Sequence, residues 1–283
     1  MKLTKPSKVA PATASPSLLS LPTDLNEPPS ELSAYSILLY GAKKIGKTSL
    51  AARFPKAIFL ATEPGTKALR VYTVPITKWE DFIGYLALLE KTKKHEFKNI
   101  VVDTVDILYK QCFNYVCRKH CIKHPSDEND FGKTWTEISE TFEQGIYRLL
   151  NIDGMGKMLL SHDTEKEYED REGNKLDRVQ PTMDKGAMKI VEAAVDMIVN
   201  YHYKKGKRYC RIDGAEDVVA GCRIEEHFLR QGGKPRTAGD RIVSISCGDT
   251  AQEAYDNILS AFNNKQKEVD PSTPVKAKAK FSL

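Results

Sequence analysis

The sequence lacks an uninterrupted apolar run of about 18 residues, the length that a membrane-spanning helix requires. A short leucine patch near the start, "SLLSLP", is broken by serine and proline, so it predicts neither a membrane anchor nor a signal peptide. Only six cysteines are present, and without an export signal they indicate reduced thiols rather than disulfide bonds. These absences favour a soluble globular protein of the cytoplasm without membrane partners.

Net charge is also low outside the two ends of the chain. The formal net charge is +5, and most of the excess lies in the terminal segments. Residues 1–30 hold six of the fourteen prolines and show little apolar periodicity, which predicts a disordered arm. Residues 264–283 alternate lysine with alanine around proline and predict a basic disordered tail. The sequence therefore predicts one domain over residues 31–263, whose net charge alone does not indicate a nucleic-acid binder.

Within the domain, nearly continuous apolar runs of strand length alternate with amphipathic helical patterns. Such runs are typical of parallel strands that are buried on both faces by helices. The later segment "YHYKKGKRYCRID" reads instead as two strands around a glycine turn, an antiparallel hairpin that extends the sheet. The fold class predicted is therefore α/β, with a mostly parallel sheet flanked by helices. The five runs are "YSILLY" (35–40), "AIFLAT" (57–62), "NIVVD" (99–103), "KMLLSH" (157–162) and "DMIVNYHY" (196–203).

A phosphate-binding loop is predicted where the first strand ends, because the segment that follows has the spacing G-x-x-x-x-G-K-[ST]. Backbone amides of such a loop surround phosphates, while its lysine reaches the β and γ phosphates of ATP and its threonine hydroxyl binds Mg²⁺. The alternative is a lysine-rich surface turn. The predicted nucleotide-binding residues are Gly41, Ala42, Lys43, Lys44, Ile45, Gly46, Lys47, Thr48 and Ser49.

Three polar residues follow other predicted strands and are expected at the same sheet edge, since parallel strands end together. Asp103 is expected to complete the Mg²⁺ site with Thr48; an ordinary helix N-cap is the alternative, and that role is compatible with metal contact. Glu63 is the candidate for the base that activates water, with an ordinary loop glutamate as the alternative. His162 is the candidate for contact with the γ phosphate, and a solvated strand-end histidine is the alternative. Lys47, Glu63 and His162 are thus the predicted catalytic residues.

A second metal site is suggested by Cys117, His120, Cys121 and His124, whose spacing places ligand-type side chains on one face of a helix. A single helix usually offers only two of them to one tetrahedral ion, and Pro125 disfavours helix at His124. Helix packing with a polar end is the preferred interpretation.

Together, these motifs resemble the RecA-type core and, more closely, the phage nucleotide-binding proteins that have this core. The specific features are "FLATEPG", "VVDT", "LLSH", "HPSD" followed by "FGKTW", "VQPTM" and "TAGDRI", and they cover roughly residues 35–263. In "FGKTW", Phe131 and Thr134 stand where tyrosine and glycine are more usual in that family.

The resemblance implies single-stranded DNA as a partner, bound by two loops at 124–134 and 163–184. Candidate DNA contacts are Phe131 and Lys133 in the first loop, and Arg171, Lys175, Arg178 and Lys185 in or beside the second. Trp135 adds an aromatic ring suited to base stacking. The second loop is acidic overall, which disfavours DNA, and a solvated hairpin around "REGN" is the alternative there.

The resemblance also implies a homo-oligomer, a ring or filament, in which a neighbouring subunit supplies a cation to the transferred phosphate. The candidates in the late hairpin and after it are Lys204, Lys205, Lys207, Arg208, Arg236 and Arg241, and a solvated basic turn is the alternative.

The function expected from the resemblance is a Mg²⁺-dependent phage ATPase that anneals or pairs single-stranded DNA in the host cytoplasm. Two other classes stay open: a nucleotide-gated scaffold with little turnover, and a motor or helicase loader. The tails could recruit a single-strand-binding protein or another replication partner in any of these cases.

Overall fold

The computed structural model describes residue 21 and residues 23–92, 94–127, 129–169, 173, 175–235 and 239–266. Its strands are β1 (Ser36–Gly41), β2 (Ala57–Ala61), β3 (Tyr72–Pro75), β4 (Asn99–Asp103), β5 (Gly156–Glu169), β6 (Lys175–Pro181), β7 (Met197–Lys204), β8 (Lys207–Arg211), β9 (Gly221–Cys222) and β10 (Ser244–Ser246). Its helices are α1 (Lys47–Ala51), α2 (Trp79–Lys91), α3 (Val105–Lys119), α4 (Lys133–Leu150), α5 (Lys185–Ala194) and α6 (Ala251–Phe262).

The strands form one mixed sheet in the order β10-β8-β7-β1-β5-β4-β2-β3, with β6 paired to β5 and β9 to β7. The pairs from β7 across to β3 are parallel, and β8 and β10 add antiparallel strands at the other end. The predicted α/β fold class is confirmed. Because β5 lies between β1 and β4, the ends of these three strands meet at one edge of the sheet.

Two apolar clusters, one on each face of the sheet, explain why the strands are almost continuously hydrophobic. Successive side chains of a strand point to opposite faces. Leu38 and Val102 accordingly lie in the cluster covered by α2, α3, α4 and α5, whereas Leu39 and Val101 lie in the cluster covered by α1 and α6. Burial on both faces fixes the register, since a slip of one residue would exchange the two sets.

Two antiparallel hairpins extend from the edge where β1 ends. The predicted late hairpin is confirmed: β7 and β8 are joined by Lys205 and Gly206, both with left-handed backbone. The second hairpin was only an alternative at the sequence level. Strand β5 continues past His162 to Glu169 and pairs with β6, so the expected loop 163–184 is largely a β-hairpin in its described part.

The start of β1 and the end of α6 lie side by side. The ring of Tyr35 is 5.9 Å from that of Phe262 and 6.4 Å from that of His227. Asn264 continues this anchorage, because its side chain accepts a hydrogen bond from the backbone of Leu229 and donates one to Glu226. None of the helices in the described part of the chain combines the length and hydropathy that crossing a membrane requires.

Candidate nucleotide-binding site

The loop between β1 and α1 is closed by the side chain of Lys47. Its ammonium group, in a residue only 6% exposed, donates hydrogen bonds to the carbonyl oxygens of Gly41 at 2.7 Å and Ala42 at 2.9 Å. Burial lowers the pKa of Lys47, and the nearby carboxylates, Asp163 foremost, partly offset this. The loop turns through left-handed backbone at Lys44 and Gly46, and the helical segment that follows is only five residues long.

Thr48 and Asp103 meet as the sequence predicts. The Thr48 hydroxyl donates a 2.8 Å hydrogen bond to Oδ2 of Asp103, a carboxylate that is only 4% exposed. Burial raises the pKa of Asp103, while the bond from Thr48 acts in the opposite direction. Gly65 approaches the same pair, since a Cβ at this position would lie 3.4 Å from Oδ2 of Asp103. Two oxygen atoms suited to a hard cation therefore stand together beside the loop.

His162 lies between Lys47 and Glu63 and contacts both. Its Nδ1 is 3.3 Å from the ammonium nitrogen of Lys47, and its Nε2 is 3.6 Å from Oε1 of Glu63. Because an ammonium group only donates, Nδ1 accepts and the proton of a neutral imidazole faces Glu63. The hydroxyl of Thr104 donates to the same glutamate oxygen at 3.1 Å. The structure thus brings all three predicted catalytic side chains together.

Asp106 is a polar centre of the site that sequence reasoning missed. Its Oδ1 accepts hydrogen bonds from the hydroxyls of Ser161 at 2.9 Å and Thr182 at 2.5 Å, and its Oδ2 accepts one from the backbone of His162 at 3.4 Å. Asp106 therefore ties β5, and the residue that directly follows β6, to the first turn of α3. The only sequence signal was a second acid in "DTVD", which reads as an ordinary first-turn residue of a helix.

The first predicted DNA loop presents aromatic rings to solvent. Phe131 is 93% exposed with left-handed backbone, and Trp135 is 42% exposed with its ring 5.7 Å from that of Phe113. The carboxylate of Asp130 holds the turn by accepting hydrogen bonds from Gly132 and Thr134. Lys133 is the first residue of α4.

The predicted DNA contacts of the second loop do not lie together, because the β5–β6 hairpin places them at different positions. Lys175 forms an ion pair with Glu167 at 2.7 Å, whereas Arg178 lies over the ring of Tyr168 at 5.3 Å. Lys185 begins α5. Arg171 lies outside the described residues.

The predicted trans-acting cations differ in what they contact. Arg241 donates hydrogen bonds to the carbonyls of Cys222 and Ile224, and Arg208 donates to the carbonyl of Asp249, so both guanidinium groups hold this chain together. Lys205 and Lys207 are exposed at the β7–β8 turn, beside Lys204. Arg236 lies outside the described residues.

The four candidate zinc ligands do not share one helix face, because α3 ends at Lys119. Cys121 follows in left-handed backbone, Cys117 is buried, and Nε2 of His120 lies 2.7 Å from a carboxylate oxygen of Glu137. His124 packs edge-on against Trp135. No cluster of three or more His, Cys, Asp or Glu side chains in the described part of the chain is arranged to hold a metal ion by itself.

Comparison with known proteins agrees with this geometry. A family model described as an AAA domain matches residues 33–224, more than half of the chain. The SPbeta prophage-derived uncharacterized protein YorG of Bacillus subtilis strain 168 is 28% identical over 204 residues, which are 69% of this chain and 58% of that protein. The chain thus spans less than two thirds of that relative's length.

A solved structure, that of the RadB recombinase, shows a weaker likeness. It is 15% identical with a TM-score of 0.37, covering 63% of this chain and 80% of that one, which is too weak to support a functional assignment. The family model spans the P-loop, Asp103 and the β5 strand, and the prophage relative agrees with the predicted phage resemblance. The chain therefore belongs to the AAA domain family and is a P-loop nucleotide-binding protein.

Proposed function

We propose that the protein is a Mg²⁺-dependent ATPase that acts on single-stranded DNA in phage recombination. The observation that supports hydrolysis is the convergence of Lys47, the Thr48–Asp103 pair, Glu63 and His162 at one sheet edge. These groups supply a cation for phosphate, oxygen ligands for a metal, and a carboxylate that can act as base toward water, with His162 beside it.

The residues present fit a magnesium-bound nucleotide. Thr48 and Asp103 would hold Mg²⁺, whose chemistry when bound is to neutralise charge on the phosphates. Lys47 would exchange the carbonyl oxygens of Gly41 and Ala42 for phosphate oxygens, which are charged acceptors and form stronger hydrogen bonds. Glu63 would take the proton of the attacking water. His162, which contacts both Glu63 and Lys47, would hold these two side chains in position.

Single-stranded DNA as the substrate is supported by the resemblance and by the exposed aromatic side chains of Phe131 and Trp135. Aromatic rings bind unpaired bases by stacking, and duplex DNA offers few such faces.

The decisive experiment measures phosphate release from ATP with Mg²⁺, with EDTA, and with single-stranded or duplex DNA. We expect EDTA to abolish turnover and single-stranded DNA to raise it more than duplex DNA does. Binding of nucleotide without turnover would instead favour a nucleotide-gated scaffold, and preferential stimulation by duplex DNA would favour a motor or loader.

Replacing Glu63 by glutamine is expected to lower turnover about 10²-fold while nucleotide affinity stays within about twofold, since a general base acts mainly in the transition state. Single-turnover hydrolysis and binding of a fluorescent ATP analogue measure the two effects. Glu96→Gln is the matched control, because Glu96 is exposed and pairs with Lys56 far from the loop. Unchanged turnover in Glu63→Gln would remove Glu63 from this role.

Replacing Asp106 by asparagine is expected to weaken the coupling between DNA and turnover rather than turnover itself. Asparagine is nearly isosteric, but it substitutes an amide for the charged acceptor of Ser161 and Thr182. The stimulation of ATPase activity by single-stranded DNA should fall about tenfold, because charged hydrogen bonds are worth roughly 1.5–3 kcal/mol. Retained full stimulation would assign Asp106 a purely structural role.

Assembly through the β7–β8 turn is proposed with Lys205 and Lys207 as the cations offered to a neighbouring site. Activity per chain is then expected to rise with protein concentration. Mixing Lys47→Ala chains with Lys205→Ala/Lys207→Ala chains should restore part of the activity that each lacks alone, because some interfaces combine an intact loop with an intact turn. Additive activities in the mixture, together with turnover independent of concentration, would exclude a trans-acting cation.

A further inference from the structure

The β5–β6 hairpin separates its charges by face. Side chains alternate between the two faces of a strand, and residues directly opposite each other across a hairpin share a face. The register pairs Lys166 with Arg178 and Tyr168 with Leu176 on one face, and Glu167 with Asp177 on the other. A segment that is acidic by composition therefore has one face without a described carboxylate.

The face that carries Lys166, Tyr168 and Arg178 is here called the cationic face. Arg178 lies 5.3 Å from the centre of the Tyr168 ring, which confirms that the two side chains extend to the same side. Lys166 stands directly opposite Arg178, and like charges in that position repel each other. An anion placed between them would remove this repulsion.

The cations of this face have no ion-pair partner in the part of the chain that the structure describes. Neither Lys166 nor Arg178 forms an ion pair with any residue that the structure describes, and the Nε of Arg178 is buried without a hydrogen-bond acceptor. Arg178 also acts on the carboxylate of Glu192 in α5. Burial raises the pKa of Glu192 above its ordinary value, and the positive charge of Arg178 partly offsets this rise. Lys166 and Arg178 therefore keep hydrogen-bond donors that an anion from outside the chain can engage.

The opposite face carries Glu165, Glu167, Glu169 and Asp177, and it already holds its own cation. Lys175 pairs there with Glu167 at 2.7 Å. A polyanion on this side would be repelled by the exposed carboxylates. Only the cationic face of the hairpin is therefore suited to nucleic acid.

We infer that single-stranded DNA lies along the cationic face only, with its phosphates at Lys166 and Arg178 and a base against Tyr168. This inference rests on the proposed function, because it specifies where the proposed substrate binds. An unpaired strand fits better than an acidic protein, since a row of cations beside an exposed aromatic ring recognises both phosphate and base.

The location gives bound DNA a direct path to the nucleotide site. Lys166 is four residues along the same strand from His162, about 13 Å at the usual rise of a strand. A strand of DNA on the cationic face would thus be held by the element whose inner end contacts Lys47 and Glu63.

The test compares two lysines of one hairpin that lie on opposite faces. Affinity for a fluorescent oligothymidine is measured by anisotropy at several salt concentrations for the wild type, Lys166→Ala and Lys175→Ala. Each phosphate contact contributes about 0.7 to the slope of log K against log salt for single strands. We expect Lys166→Ala to reduce the slope by about 0.7 and the affinity roughly fivefold at 0.1 M salt. We expect Lys175→Ala to leave both unchanged.

Other outcomes overturn the inference in distinguishable ways. Wild-type binding with equal slopes in all three proteins, or a loss in Lys175→Ala as large as that in Lys166→Ala, would overturn the assignment of the face alone. Absence of wild-type binding at low salt would overturn the proposed substrate as well. Loss of affinity for a fluorescent ATP analogue in Lys166→Ala, without loss of DNA binding, would place free nucleotide on this face instead.

Discussion

Replacing Lys47 by alanine is expected to lower ATP turnover about 10³-fold, the upper end of what loss of one preorganised donor costs. Lys47 is the buried cation that closes the loop, and its ammonium nitrogen lies 3.3 Å from Nδ1 of His162. Without the ammonium group, charge on the transferred phosphate would lack its partner in this subunit. Phosphate release under steady-state conditions measures the effect, and binding of a fluorescent ATP analogue is expected to weaken as well.

The control for this substitution is Lys56→Ala, an exposed lysine whose ion pair with Glu96 lies away from the loop. Its turnover is expected to stay within about twofold of the wild type, since exposed pairs contribute little. Thermal unfolding of both variants separates lost chemistry from lost folding. Turnover by Lys47→Ala at the wild-type rate would contradict the assignment of the loop.

The largest effect on stability is expected for Gly41→Ala. A Cβ at this position would lie 2.0 Å from the carbonyl oxygen of Tyr201, which belongs to the backbone of β7 and has no room to move without breaking the parallel pair. Overpacking of this severity costs about 3 kcal/mol or more. We therefore expect the melting temperature to fall by about 6–12 °C, as measured by circular dichroism or calorimetry.

Gly84→Ala provides the comparison. Gly84 lies inside α2, and no atom outside the helix comes within 4 Å of a Cβ there. Alanine is the better helix former by about 1 kcal/mol, so the melting temperature should stay unchanged or rise. If Gly41→Ala melted like Gly84→Ala, the close approach of β1 and β7 would be absent from the folded protein.

The parallel core was predictable because its strands are buried on both faces and read as short apolar runs. The prediction for β4, 99–103, coincides with Asn99–Asp103, and that for β1 differs by one residue at each end. Strand β3 was missed because it is an exposed edge strand that ends in proline. Strand β6 and the outer half of β5 were predicted only as an alternative, a solvated hairpin around "REGN", because charged residues on both faces give no apolar pattern. Their pairing depends on contacts between strands, which a single segment does not show.

The candidate site, like the fold, was predicted only in part. Thr48, Glu63, Asp103 and His162 were predicted together by the rule that parallel strands end at one edge, and the structure brings them into contact. Their chemical roles stay predictions. The bonds of Asp106 could not be anticipated, since Thr182 is 76 residues away along the chain. For the same reason, the structural contacts of Arg241 were not foreseen.

The contact between Tyr35 and Phe262 bears on how the protein can be labelled and tethered. Tyr35, just before β1, and Phe262, the last residue of α6, lie side by side near the two ends of the domain. The P-loop lies at the other end of β1, about 20 Å away for a strand of six residues. An affinity tag, a fluorophore or a surface linker attached at either end of the domain would therefore stand on the side opposite the nucleotide. A short linker between the two ends would also allow the chain to be opened elsewhere, in a circular permutant whose P-loop is untouched.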